Sequence, residues 1–402
     1  MEGAATTAPQ TFRTAALQYI RDDLDLAPST MLRMVPLPRY AGEDRSNHTP
    51  VTPAPYPPRM IRLILTAALL LSGTPAMSAP PQVIAHRGAS GERPEHTASA
   101  YRLAVEQGAD FIEPDLVMTR DGQFVVRHEN EIGGTTDVAD RLAFAARKTT
   151  KTIDGVQTTG WFTEDFTLAE LQTLRARERL PLVRPANTAW DGQEPILTFD
   201  AVVALARQET ARTGRVIGVA PELKHPSYFA GIDLPMEDAF VAALDRHGLT
   251  GADAPILIQC FEVGPLQRLN ARIDAPLLQL MSLSGGPADR PDLTYTAMST
   301  PGGLRAVAAY ADAIGVETGL ILPRDGASRS QSPTPLIPDA HAAGLKVAAW
   351  TFRAENAFLP LEHRHGDAPA GHGDLTAYLK TFYALGVDAV FSDFPGVAVA
   401  AR

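Results

Sequence analysis

The chain has 402 residues, 45% hydrophobic and 20% charged, and a formal charge of −10. That balance belongs to a globular protein with an ample core, and it excludes the clustered-cation profile needed to hold a nucleic-acid backbone. The single cysteine, Cys260, excludes an intrachain disulfide, and its place in the run PILIQCF reads as core.

In chain order, residues 1–59 are rich in Thr, Pro and Arg and end with four prolines between Val51 and Arg59, so no packed structure is expected there. Met60-Ile61-Arg62, the apolar run Leu63–Leu71 and the small residues Gly73–Ala79 then have the anatomy of a secretory signal peptide, too short for a membrane span. Cleavage is expected after Ser78 or Ala79. The pattern puts the start of translation at Met60 and makes residues 1–59 a disordered or mis-assigned extension. The mature chain, without a stable membrane span, is expected in the periplasm or outside the cell.

From residue 80 to 398 short apolar runs alternate with helical patterns. Strands are expected to start near residues 83, 111, 216, 256, 277, 313, 345 and 389, with helices over 95–108, 236–247, 262–270, 304–310, 335–343 and 375–384. This rhythm predicts an α/β fold, a (β/α)8 barrel of the TIM type, whose chemistry lies at the C-terminal ends of its strands. Phe124–Val126 follows the second strand too closely for a parallel crossover and is expected as an antiparallel hairpin arm. Residues 129–199 break the rhythm with a Gly/Thr stretch, a basic run from Arg141 to Lys151, a short helix at Leu168–Arg175 and a Pro/Asn/Gly-rich tail. They are expected to form a small inserted subdomain over the C-terminal face, after the second barrel strand. The basic run reads as a solvated surface, with steering of an anion as its functional alternative.

The strand ends carry the candidate chemistry. Glu113 and Asp115 are two residues apart and share a face of their strand; two crowded carboxylates call for a cation, and hard oxygen ligands favour calcium or magnesium. Glu222, in APELK, offers a third acid from another strand, with Lys224 emerging on its side. His86, beside Arg87, and His128 are the neutral-range acid and base candidates, a set suited to phosphoryl chemistry. Glu95 stands where a helix-capping acid belongs, with a metal or arginine contact as its alternative. Trp350, Gln259 and Phe261 end their strands and either wall a small substrate or pack as core. His225 reads as a loop residue, and Asp388 and Asp393 as turn or cap acids.

The ordered set HRG, PEHT, IEPDL, VVRH, PELK, QCF, AAWT and GVDAVFSDFP, running from Val83 to Pro395, resembles the glycerophosphodiester phosphodiesterases. TTDVA and FTLAEL in the long insertion are similar to the periplasmic bacterial branch. The resemblance implies a (β/α)8 barrel with a small inserted subdomain. It implies one divalent cation, calcium first and magnesium second, on Glu113, Asp115 and Glu222, with His86 and His128 as acid and base. Arg87 and Lys224 would hold the phosphate, Glu95 would support the site, and Trp350 would line the glycerol pocket.

The implied reaction releases glycerol 3-phosphate and an alcohol such as choline or ethanolamine, through attack by a glycerol hydroxyl and a cyclic phosphate that water opens. The chain departs from the family at His96, where asparagine is usual, and at Glu129, where aspartate usually follows the histidine. Two other readings stand beside this one: phospholipase D-type cleavage of lysophospholipid or sphingomyelin, and a secreted protein that binds glycerophosphodiesters without turnover. A chain lacking residues 1–59 is expected to keep the cooperative thermal transition of the full chain; loss of that transition would contradict the placement of the start at Met60.

Overall fold

The computed structural model describes residues 80–402, so the expectations for residues 1–59 and for the signal peptide lie outside the described residues. β1 (Gln82–Ala85) opens the barrel and leads to a helix, Ala98–Glu106, whose Thr97 hydroxyl caps it by accepting from Ala100 N. Glu95 therefore precedes the cap and is not part of the helix, contrary to the expected start at that residue.

The second barrel position is broken by Pro114 into β2 (Phe111–Ile112) and β3 (Asp115–Met118). β4 (Phe124–Val126) runs back along β3 as the expected antiparallel arm. Apart from the hairpin β5 (Thr149–Ile153) and β6 (Val156–Gly160), the following connection is mostly tight turns, with a one-turn helix at Leu168–Leu171 closed by a Thr167–Glu170 capping box. The third position is broken in the same way by Pro221, into β7 (Gly218–Val219) and β8 (Glu222–Leu223). It starts later than expected, because Val216 lies exposed ahead of the sheet. β9 (Ile258–Cys260), β10 (Leu277–Met281), β11 (Ala313–Glu317), β12 (Lys346–Phe352) and β13 (Ala389–Ser392) complete the series. Each pairs in parallel with the next, and β13 pairs with β1, which closes a ring of eight positions. The (β/α)8 barrel expected from the alternation is the fold.

The two prolines matter because neither can donate to the ladder, so both strands bend at the same height. β2 pairs with β7 below the bend and β3 with β8 above it, which sets Asp115 directly beside Glu222 and Glu222 beside Gln259. Inside the ring, Ile84, Ala220, Leu278, Leu280, Ala348 and Phe391 fill the interior. On β11, a Cβ at Gly315 would sit 2.5 Å from Leu278 Cδ2 and 2.6 Å from Leu280 Cδ2; a bare backbone leaves those leucines their place.

Several helices are additional to those expected, among them Phe199–Thr213 and Pro395–Ala401. Phe199–Thr213, capped by Thr198 and stopped by Gly214 at φ 70°, buries Phe199, Val202, Val203, Leu205 and Ala206. Pro395–Ala401 ends the chain against β1 and β13. Among the described residues no helix is long and apolar enough to cross a membrane.

Behind β12, Phe352 meets Phe382 edge-on at 4.9 Å and Phe382 meets Tyr378 at 5.1 Å. These rings seat the helix Leu375–Leu385 under the strand that carries Trp350. Phe382→Ala is expected to destabilise the fold by about 3–5 kcal/mol in urea unfolding; a change under about 1 kcal/mol would show that these rings do not carry the packing.

Candidate active site

At the end of β1 the chain turns sharply through Arg87 at φ 59° and Gly88 at φ 87°. A Cβ on Gly88 would lie 2.7 Å from the Ala100 carbonyl carbon, so the helix can approach this turn only because glycine stands there. The turn aims the Arg87 backbone N–H at Glu113 Oε2, 2.7 Å away, and sends the guanidinium to Glu95 Oε2 at 2.9 Å. Arg87 Nε also lies 3.4 Å from Asp115 Oδ2.

Glu113, Asp115 and Glu222 are all buried, and one oxygen from each falls within 4.8 Å of the others. The mouth of the barrel thus brings together the three acids singled out from sequence. Burial, and then the charges of Asp115 and Glu222, push Glu113 well above the usual carboxylate range. Burial likewise pushes Glu222 up to about 8, against the pull of Lys224. Burial acts on Asp115 too, but His128, Lys224 and His96 outweigh it and hold this acid well below its usual range. Asp115 Oδ1 is buried with no hydrogen-bond partner in the protein. An all-oxygen donor set with an orphaned carboxylate oxygen fits a hard divalent cation of the calcium or magnesium kind.

Cationic and neutral neighbours brace the trio. Lys224 Nζ donates to Glu222 Oε1 at 2.8 Å and reaches His128 Nε2 at 3.2 Å. Burial works against the Lys224 charge, but Glu222 and Asp115 prevail and raise its pKa. His96, at the position that departs from the family pattern, is wholly buried with Nε2 2.9 Å from Asp115 Oδ2 and Nδ1 2.8 Å from the Tyr101 hydroxyl. Burial pushes His96 down to about 4, so it meets Asp115 as a neutral N–H donor.

The two histidines are built alike. His86 Nδ1 lies 2.6 Å from Asp393 Oδ1, and His128 Nδ1 bonds Glu129 Oε1. Burial opposes the charge of both acids, yet Arg184 and Arg353 hold Asp393, and Arg179 and His128 hold Glu129, well below the usual range. Ionised carboxylates only accept, so each neutral ring donates from Nδ1 and leaves Nε2 without a proton. Burial and the Arg87 charge lower His86, and the same pair of causes pushes His128 down to about 3.

Asp393, read from sequence as a turn or cap acid, is thus the partner of His86. Its position one residue past β13, at a barrel-strand end, is the signal that could have found it. Asp388 caps the other end of that strand, accepting from Val347 N at 2.7 Å. Glu95 takes the arginine contact: Arg179 forks onto it with two bonds of 2.7 Å, beside the bond from Arg87. Arg179 also bonds Glu129, at 3.0 and 2.6 Å. Arg179 and Arg184 come from the irregular insertion, where no periodicity marks a side chain as inward-facing. The basic run is largely paired within the insertion: Arg141 with Asp137, Arg147 with Glu170, and Lys151 with Glu164 and Asp165.

These groups line a cavity of about 890 Å³ at the C-terminal face. His86, Arg87, Glu113, His128, Glu222 and Lys224 line it together with Gln259, Phe261 and Trp350. Phe261 meets Trp350 edge-on at 5.8 Å and carries Lys224 Nζ 5.6 Å from its ring centre. Trp350 Nε1 has no protein partner, while Gln259 donates to Ala220 O at 2.8 Å and lies 3.5 Å from Glu113 Oε1. His225 also lines the cavity, with Nδ1 2.6 Å from Asp154 Oδ2 on the insertion. Cys260 is a buried free thiol, as its apolar run implied.

Residues 86–397 match the Glycerophosphoryl diester phosphodiesterase family. The chain belongs to this family. The enzyme is 35% identical over 337 residues to a glycerophosphodiester phosphodiesterase of Arabidopsis thaliana, a match covering 80% of this chain and 86% of that one. It is 28% identical over 343 residues to a glycerophosphodiester phosphodiesterase of Haemophilus influenzae, covering 79% and 88%. Among solved structures, a putative glycerophosphoryl diester phosphodiesterase of Silicibacter pomeroyi superposes with a TM-score of 0.56 at 20% identity, over 81% of this chain and 93% of that one. A phosphodiesterase of Oleispira antarctica, solved with the product sn-glycerol-3-phosphate, superposes with a TM-score of 0.53 at 22% identity, over 80% and 96%. At these identities the likeness is one of fold. The chain is a glycerophosphodiester phosphodiesterase, a metal-dependent family whose requirement is matched here by the acidic cluster.

The depressed pKa of His128 carries a sign. A ring that titrates near 6.5 when unfolded and near 3 when folded contributes stability that is complete above pH 6.5 and is lost as pH falls toward 3. Urea midpoints of the phosphodiesterase are therefore expected to drop more steeply between pH 7 and pH 4 than those of His128→Asn, which has no ring to protonate; parallel curves would contradict the assignment.

Proposed function

We propose that the enzyme hydrolyses small glycerophosphodiesters, such as glycerophosphocholine or glycerophosphoethanolamine, to glycerol 3-phosphate and a free alcohol, with His86 and His128 as the acid–base pair. The observation that carries this reading is that both rings have Nδ1 fixed by an ionised carboxylate and face one cavity with Glu113 and Glu222 of the buried acid trio. The ring acting as base enters with Nε2 free, and the ring acting as acid enters with a proton on Nε2, favoured by the negative charge of the bound diester.

Substrate fits the cavity with its phosphate against Arg87 and Lys224, whose positive charges offset the charge of the diester. Trp350 and Phe261 wall the glycerol end. One histidine removes the proton from the attacking glycerol hydroxyl and the other protonates the departing alcohol oxygen. The cyclic phosphate so formed is opened by water as the two rings exchange roles. Glu113, Asp115 and Glu222 are the residues that would hold a divalent cation, calcium before magnesium; when bound it supplies positive charge to the phosphate oxygens. Glycerol 3-phosphate bound to the Oleispira antarctica phosphodiesterase supports this substrate class.

We also propose that the protein is exported to the periplasm or beyond the cell by the segment 60–79, on the strength of its basic start, apolar core and small-residue end. The catalytic proposal is tested by glycerol 3-phosphate release from glycerophosphocholine. Turnover is expected with calcium and to be abolished by EDTA, and His86→Ala and His128→Ala are each expected to lower kcat about 10²–10⁴-fold. Undiminished turnover in EDTA, or in either variant, would overturn it.

A further inference from the structure

The turn from Glu178 to Asn187 in the insertion has no regular structure before Pro185, yet it is held rigidly. Leu180 and Val183 are buried against Ala357, Phe358 and Ala370. Arg184 N donates to Leu180 O at 2.7 Å, and the Glu178 carboxylate accepts from Leu180 N at 2.7 Å and from Asn187 Nδ2 at 2.8 Å. From this turn two arginines reach different parts of the site. Arg179 forks onto Glu129 and Glu95. Arg184, buried, donates Nη2 to Asp393 Oδ2 at 2.5 Å, Nε to Glu355 Oε1 at 2.6 Å and Nη1 to Ser90 O at 3.0 Å.

We propose that this turn is a positioning element for both histidines, with Arg179 fixing Glu129 against His128 and Arg184 fixing Asp393 against His86. The inference rests on the acid–base reading of the two rings. A carboxylate orients an imidazole only if its own plane is fixed: Arg179 does this on Glu129 with a two-bond fork, and on Asp393 the single bond from Arg184 is joined on the same oxygen by one from Arg353. Glu129 follows His128 directly in the chain on a flexible side chain, so without the fork nothing would select the rotamer that meets Nδ1.

The two arms differ in what else they touch. Arg179 also holds Glu95, which holds Arg87, so its arm extends to the phosphate side. The Arg184 arm ends on His86, and Arg353 Nε shares Asp393 Oδ2 at 3.0 Å. On this reading the insertion braces the active-site groups as well as walling the cavity.

The test uses the full chain with calcium present. The Nδ1–H protons of His86 and His128 are followed by NMR, assigned by their loss in the two alanine variants, alongside steady-state kinetics on glycerophosphocholine. Arg184→Gln is expected to disturb the His86 proton alone and to lower kcat about 10–100-fold with KM unchanged. Arg179→Gln is expected to disturb the His128 proton alone, to lower kcat by a similar factor and to raise KM. Because Arg184→Gln strands the buried Glu355, the companion Arg184→Gln/Glu355→Gln removes that charge and keeps the comparison on a folded protein. Unchanged protons and kcat in both variants would overturn the proposal. So would loss of both protons together with a lowered melting temperature, the sign of general fold support. Activity retained in His86→Ala or His128→Ala would instead refute the acid–base reading, while the proton pairing is judged on its own.

Discussion

Three carboxylates lie buried side by side at the mouth of the barrel, and most of the polar architecture answers to that one constraint. Burying like charges within 4.8 Å is unfavourable unless protons or cations offset them. Two of the acids respond by holding their protons more tightly, while Asp115 keeps its charge through Lys224, His128 and His96. The same arrangement leaves Asp115 Oδ1 without a partner, a cost that a bound cation would remove. Such a cluster could hold a metal ion.

The backbone creates the constraint. Pro114 and Pro221 interrupt neighbouring strands at one height, and the ladder above them sets Asp115, Glu222 and Gln259 in a row. Beyond that row a hydrogen-bonded chain, its carboxylates alternating with guanidiniums, runs from His128 through Glu129, Arg179 and Glu95 to Arg87. A second runs from His86 through Asp393 to Arg184 and Glu355. Both chains pass through the insertion, so the barrel supplies the two histidines and the insertion supplies the arginines that brace their carboxylate partners.

Much of this was legible in the sequence because strand ends in a parallel barrel converge. An apolar run ending in His-Arg, one ending in Glu-Pro-Asp and one ending in Glu-Leu-Lys could each be read locally, and convergence follows from the fold. Register is a different matter: nothing local says that Asp115 faces Glu222, although Pro114 and Pro221 stand in plain view. The helix Phe199–Thr213 was readable from its apolar spacing, its Thr198 cap and its Gly214 stop, but it borders the Pro/Asn/Gly-rich tail of the insertion, which masks its start. Arg179 and Arg184 were not readable, because irregular backbone has no period that separates inward from outward side chains. Glu129, one methylene longer than the usual aspartate, still reaches its histidine, and the Arg179 fork holds it there.

We propose that the buried acid trio is a cation centre. Calorimetric titration of the EDTA-stripped enzyme with calcium, and separately with magnesium, tests it most directly. Saturable binding of one ion per chain is expected, weakened at least about tenfold in Asp115→Asn and in Glu222→Gln. No saturable binding of either ion, or equal binding by the wild type and both variants, would contradict it.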